Sequence, residues 1–194
     1  MNLPNKLTLL RVFLIPFFLL CMYWKFPCHY LAALVIFSAA SITDALDGKI
    51  ARSRNLVTNF GKFLDPLADK VLVLAALAVF VEIPDIKVGA IPLIIISARE
   101  FMVSGLRLLA ANSGIVVAAG MWGKLKTAFT MVAIITALVW LSACNDFGFS
   151  FPAVFCGIVN DWLIPVLIWI STVLTIISGV IYLKGYWNLI DTDK

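Results

Sequence analysis

Asp44, Asp47, Asp65 and Asp69 are gathered in one short stretch of an otherwise apolar chain. Each lies in or beside a hydrophobic segment long enough to cross a bilayer, where an ionised carboxylate is unfavourable and marks a candidate functional site. On a helix turning about 100° per residue, Asp47 falls about 60° from Asp44, Gly48 about 40°, Ala51 about 20° and Arg52 about 80°, so the five share a face. On the next segment Gly61, Asp65 and Asp69 lie within about 80° of one another, again on one face. A short polar link, 53–59, makes the two segments antiparallel neighbours. It sets Asp44 level with Asp69, and Asp47 level with Asp65, around a midpoint near position 56. This arithmetic predicts a square of four carboxylates. Such a square cannot stay ionised without cations, and oxygen donors with no His or Cys nearby favour Mg²⁺ or Mn²⁺. Two ions bridged by the aspartates would clamp a diphosphate and stabilise an in-line displacement. Gly48, Ala51 and Gly61 leave room for a nucleotide to approach the backbone, and Arg52 offers a fixed guanidinium to phosphate. The alternative is a structural ion network with Lys49, Arg52, Lys62 and Lys70. That explains any one aspartate more readily than four on matched faces.

A second basic set, Arg99, Arg107, Lys124 and Lys126, lies further along the chain. Arg99 and Arg107 are about 80° apart around a helix, so both can face a bundle interior. Arg99 sits in mid-segment and needs an anionic partner; Glu100 is adjacent in sequence but about 100° away. A phosphate-bearing acceptor would be such a partner, because arginine offers phosphate bidentate contacts. Arg99 and Arg107, with Lys126 at the head of the fifth segment, are therefore the candidate acceptor-phosphate site. Lys124 is read instead as a side chain reaching to lipid headgroups.

The elements that must position these groups follow from composition. The chain of 194 residues is 62% hydrophobic and 13% charged, with a mean hydropathy of +1.03. Soluble domains carry about 25% charged residues. About 20 apolar residues span a bilayer as a helix, which gives six spans near 7–24, 31–52, 60–81, 89–110, 122–143 and 162–184. The expected fold is an all-α membrane protein, a six-transmembrane-helix bundle forming one integral-membrane catalytic domain over 1–194. Continuous apolar runs such as Val71–Val81 lack strand alternation and argue against a barrel. The first span is expected to remain as a helix rather than act as a cleaved signal, since Arg11 interrupts it and the residues before Cys21 are large.

Grouping the 15 lysines and arginines by nearest membrane face leaves only Lys25 and Lys87 on the side opposite the termini. That bias predicts both termini, and the aspartates, on the cytoplasmic side of a bacterial plasma membrane. The net charge of +4 suits anionic headgroups and phosphorylated substrates, and no nucleic-acid motif accompanies it. Cys21, Cys28, Cys144 and Cys156 map near the outer face. A Cys144–Cys156 bridge is conceivable there, but free thiols acting as small apolar residues fit better. The single His29 is assigned no role. A cation-coupled transporter would also bury carboxylates, but it often carries inverted repeats, and none is visible.

The pattern Asp44-x-x-Asp47-Gly48-x-x-Ala51-Arg52-x8-Gly61-x3-Asp65-x3-Asp69 resembles the signature of the CDP-alcohol phosphotransferase family without a departure. The likeness extends through Asn2-Leu-Pro-Asn5-Lys-Leu-Thr8-Leu-Leu-Arg11, Phe63-Leu-Asp-Pro-Leu-Ala-Asp-Lys70, Ala98-Arg99-Glu100 to Gly105-Leu-Arg107, and Gly123-Lys124-x-Lys126-Thr127. These stretches are similar to the family's phosphatidylglycerophosphate-forming branch. The resemblance implies an enzyme of phospholipid biosynthesis, usually a homodimer. It would transfer the phosphatidyl group of CDP-diacylglycerol to sn-glycerol 3-phosphate and release CMP. It further implies that Asp44, Asp47, Asp65 and Asp69 hold metal, and that Asp69 also serves as base for the acceptor hydroxyl. Gly48, Ala51, Arg52 and Gly61 would line the cytidine diphosphate site, with Thr43, Asn5 and Thr8 as neighbours. Asn5 has an equal claim as a helix N-cap. Cardiolipin and phosphatidylinositol-phosphate synthesis are the nearest alternatives within the fold. An intramembrane prenyltransferase also uses aspartates, metal and diphosphate, but fits the signature poorly.

Overall fold

The computed structural model describes residues 3–54, 59–112 and 120–186; at 3–8, 44–54, 59–67, 69, 108–109 and 111–112 it describes the backbone alone. The described residues are all-helical apart from short connections. Six long helices, α1 (Leu3–Tyr23), α2 (His29–Arg54), α3 (Asn59–Glu82), α4 (Ala90–Asn112), α5 (Met121–Leu141) and α7 (Ile164–Gly185), follow one another among the described residues. A short α6 (Ala153–Gly157) precedes the last of them. Wider π-helical turns at Ser142–Asp146 prolong α5, and others at Ile158–Leu163 fuse α6 to α7. The sequence reading took this part of the chain as an outer loop. Pro152, Gly157 and Asn160 look like loop residues, yet Pro152 precedes the helix, where a missing N–H does no harm.

The helices form two packed groups. α1 lies against both α2 and α3, which meet each other over only a short stretch. α5 packs closely on α7, and α4 closes the second group against α7; contacts of α2 with α5 and of α3 with α4 join the halves. The core between them contains Phe18 and Phe37, whose ring centres are 6.0 Å apart, together with Leu72, Leu77, Phe80, Ile134 and Leu138.

α7 shows which solvent the bundle suits. Its buried face carries Ser171, Thr172, Thr175, Ser178 and Gly179, whereas Val166, Trp169, Val173, Ile176, Val180 and Ile181 point outward. Small and hydroxylated residues inside, with aliphatic ones outside, is the arrangement a lipid solvent selects. The hydroxyls are satisfied internally: Thr172 donates to the Ile168 carbonyl at 2.8 Å, Thr175 to that of Ser171 at 2.7 Å, and Ser171 pairs with Thr130 of α5. By length and composition, Met121–Asp146 and Ala153–Gly185 could each cross a bilayer. The chain has the character of a membrane protein.

The end of the bundle opposite Arg107 is tied by polar contacts. Tyr23 donates to Glu82 at 2.7 Å, and Lys87 pairs with Asp161 at 2.9 Å. The Asp146 carboxylate accepts the Leu31 N–H at 2.7 Å and the Tyr30 N–H at 3.4 Å, so it caps the first turn of α2 from the far end of α5, where backbone donors and the helix dipole favour an anion. His29, in that same turn, has its Nδ1 3.0 Å from the Cys21 carbonyl. All four cysteines are free.

Candidate active site

Asp44, Asp47, Gly48, Ala51 and Arg52 stand on α2, and Gly61, Asp65 and Asp69 on α3; Asn5 and Thr8 stand on α1. Their side chains lie outside the described residues. Thr43, just before the first aspartate, donates its hydroxyl to the Ala40 carbonyl at 2.8 Å, which leaves the oxygen lone pairs for a second partner. Arg11 is fully buried on α1, the helix that contacts both aspartate-bearing helices.

Lys70 follows Asp69 on α3. Lys70 forms part of the wall of a cavity of about 430 Å³ that runs to Arg99, Arg107, Gly123, Lys124, Thr127 and Tyr182. Such a volume is in the range of small-ligand sites. The wall carries four cations, Lys70, Arg99, Arg107 and Lys124, and among the described residues one acid, Glu100. Its charge suits an anion. Four helices build it. α3 contributes Lys70, α4 contributes Arg99, Glu100 and Arg107, the first turns of α5 contribute Gly123, Lys124 and Thr127, and α7 contributes Tyr182.

The arginines are held by specific partners. Arg99 Nη1 donates to Glu100 Oε1 at 2.9 Å and Arg99 Nη2 to Ser178 Oγ at 2.5 Å. Arg107 Nη2 donates to the Tyr182 hydroxyl at 2.9 Å, and the Gly120 N–H donates to that same oxygen at 3.0 Å. The sequence reading set Glu100 aside as a partner of Arg99 because their Cα–Cβ directions diverge. The long arginine side chain bridges that divergence.

The two lysines at the head of α5 depart from their expected places. Lys124, read as reaching to headgroups, lines the cavity. Lys126 is buried, with Nζ 2.6 Å from Glu100 Oε1, and borders a small pocket of about 30 Å³ that shares Lys70, Glu100 and Thr127 with the main cavity. Two residues on a helix lie about 200° apart, so only one of the pair can face the cavity. Arg99, Arg107 and Lys126 thus gather around Glu100 and the cavity, but Lys126 stands behind the acid.

Tyr182 and Ser178 were missed by sequence reasoning. Their signal is a polar stripe, Ser171, Thr175, Ser178 and Tyr182, spaced by three or four residues on one face of an otherwise apolar α7. Such a stripe in lipid marks packing or a polar site, and here it does both.

Comparison with known proteins shows the family. The family model for CDP-alcohol phosphatidyltransferase matches residues 1–177. A CDP-diacylglycerol–glycerol-3-phosphate 3-phosphatidyltransferase of Bacillus subtilis is 40% identical over 205 residues, covering 100% of this chain and 99% of its own. One of Rickettsia bellii is 38% identical over 95% of this chain and 94% of its own. One of Escherichia coli is 44% identical over 72% of this chain and 76% of its own. With the family match spanning the first five long helices, the aspartate signature and most of α7, the chain belongs to the CDP-alcohol phosphatidyltransferase family.

Proposed function

We propose that the chain transfers the phosphatidyl group of CDP-diacylglycerol to sn-glycerol 3-phosphate, forming phosphatidylglycerophosphate and CMP. The observation that carries this reading is the cationic cavity whose wall begins at Lys70, the residue after Asp69. An acceptor that offers both a hydroxyl and a phosphate has a place for each: the hydroxyl toward the aspartates, the phosphate toward Arg99 and Arg107. The relatives' names, which specify glycerol 3-phosphate as acceptor, point the same way.

In this mechanism Asp69 takes the proton of the acceptor hydroxyl. The hydroxyl oxygen bonds to the phosphatidyl phosphorus, the bond from that phosphorus to the bridging oxygen breaks, and CMP leaves with the oxygen. Arg99 and Arg107 hold the acceptor phosphate, with Lys70 and Lys124 adding positive potential along the wall. Gly48, Ala51, Arg52 and Gly61, with Asn5, Thr8 and Thr43 as neighbours, receive the cytidine diphosphate. Among the described residues no group of three His, Cys, Asp or Glu could hold a metal. The family's signature aspartates fit that task by their chemistry. Asp44, Asp47, Asp65 and Asp69 offer carboxylate oxygens suited to Mg²⁺ or Mn²⁺, two ions in this reading. Held by these aspartates, such cations would supply charge neutralisation for the diphosphate and its leaving group.

The same reading makes 1–194 a single six-span domain of a bacterial plasma membrane, with both termini and the active site cytoplasmic. Its support is the excess of lysine and arginine on one side. A homodimer belongs to the reading through the family resemblance. The test is CMP release by purified protein in detergent. Release should require CDP-diacylglycerol, Mg²⁺ or Mn²⁺, and glycerol 3-phosphate together. Equal release without an acceptor, or none with all three, would overturn the assignment.

A further inference from the structure

We infer that α7 sets the fit of the acceptor: Tyr182 and Ser178 act as positioning residues that fix the separation of Arg107 and Arg99 for a single phosphate monoester. This rests on the reading that the cationic cavity takes the acceptor's phosphate. Ser178 and Tyr182 are one turn apart on the same face of α7, and both are almost fully buried. Each holds one guanidinium, Ser178 Oγ that of Arg99 and the Tyr182 hydroxyl that of Arg107. The Tyr182 ring also carries both: the guanidinium carbons of Arg99 and Arg107 are 5.5 and 5.6 Å from its centre, within cation–π range. Two like charges brought onto one ring repel each other, and an anion lodged between them in the cavity relieves that repulsion.

The backbone has been cleared for this arrangement. A Cβ on Gly179 would stand 3.3 Å from Arg99 Cγ, and one on Gly123 would stand 3.5 Å from Arg99 Nη2. Arg99 therefore runs close to the backbone of both α5 and α7, most tightly at Gly179, where an added Cβ would press on its side chain, whereas at Gly123 the contact would be an ordinary one. The Tyr182 oxygen also receives the Gly120 N–H, which anchors the start of α5, the helix that presents Lys124 to the cavity. Neither Tyr182 nor Ser178 needs to touch the reacting atoms. Their effect is to keep the guanidinium pair preorganised, which saves ordering energy at the moment of binding.

The test compares Tyr182→Phe and Ser178→Ala with unaltered protein, using CMP release at varied glycerol 3-phosphate. Tyr182→Phe keeps the ring and loses the oxygen that receives Arg107 and Gly120. The Michaelis constant for glycerol 3-phosphate should rise about tenfold, the size of one lost hydrogen bond to a charged group. Inhibition by inorganic phosphate should weaken in parallel, and the Michaelis constant for CDP-diacylglycerol should move by no more than about twofold. Val173→Ala, on the outward face of the same helix, should leave the acceptor constant in place. If Tyr182→Phe does not fold, Ser178→Ala, which removes one hydroxyl, carries the test alone. Parallel loss for both substrates would reduce these residues to general packing and overturn the inference. So would unaltered acceptor and phosphate constants in both variants. If the unaltered protein releases no CMP with glycerol 3-phosphate, it is the underlying reading that fails instead.

Discussion

Lys126 Nζ stands 2.6 Å from Glu100 Oε1, and the two side chains are 7% and 13% exposed. Arg99 Nη1 reaches the same oxygen at 2.9 Å. One carboxylate therefore neutralises two nearly buried cations, from α4 and α5, beside a cavity that is otherwise cationic. Glu100 is the internal counter-ion that lets the site stand when no phosphate occupies it.

Glu100→Gln keeps the shape and removes that charge. Stripping one partner from a buried ion pair commonly destabilises by about 3–5 kcal/mol, so Tm in detergent should fall by several degrees. Inorganic phosphate should restore part of the loss by occupying the cavity. An unchanged Tm would show that Arg99 and Lys126 need no counter-ion.

In the proposed mechanism the four aspartates act through cations and one of them through a proton. A chelator should abolish activity, with Mg²⁺ or Mn²⁺ restoring it. Asp44→Asn, Asp47→Asn and Asp65→Asn should each lose most turnover while retaining the fold. Asp69→Asn should lower turnover far more than it weakens CDP-diacylglycerol binding. Equal loss of both would leave Asp69 as a metal ligand only.

The order of helices and their approximate extents were legible in the sequence, because apolar runs of bilayer length punctuated by short polar links leave few alternatives. The observed helices extend beyond several expected spans, as α2 does to Arg54 and α4 to Asn112, since polar residues at a span's end can still complete helical turns in headgroups or water. The fusion of α6 to α7 was not legible; proline and glycine hid it. The acidic signature was legible as chemistry, and its side chains at Asp44, Asp47, Asp65 and Asp69 fall outside the described residues. The second half of the site was legible only in part. Arg99 and Arg107 announced themselves as cations in an apolar run, whereas Glu100 with Lys126, and Arg107 with Tyr182, are pairs separated widely in the chain. No local periodicity reports such pairings.

Topology gives an independent check. The lysine and arginine bias predicts both ends of the chain in the cytoplasm. Reporter fusions at Lys194 and within 145–160 should lie on opposite sides of the membrane. The same side for both would contradict six spans.

Arg99→Ala and Arg107→Ala each remove a charge-assisted phosphate contact. The Michaelis constant for glycerol 3-phosphate should rise by about ten- to a hundred-fold, corresponding to roughly 1.5–3 kcal/mol. That for CDP-diacylglycerol should change much less. Comparable losses for both substrates would move the acceptor phosphate elsewhere.

A competition among acceptors bears most directly on the central claim, that a basic cavity beside Asp69 selects a phosphorylated glycerol. Purified protein is given CDP-diacylglycerol, metal and equal amounts of glycerol 3-phosphate, glycerol, inositol 1-phosphate and phosphatidylglycerol, and the lipid products are identified by mass. The expected result is phosphatidylglycerophosphate as the dominant product, with little phosphatidylglycerol made from free glycerol. Phosphatidylinositol phosphate or cardiolipin in equal or greater yield, or glycerol serving as well as its phosphate, would contradict it.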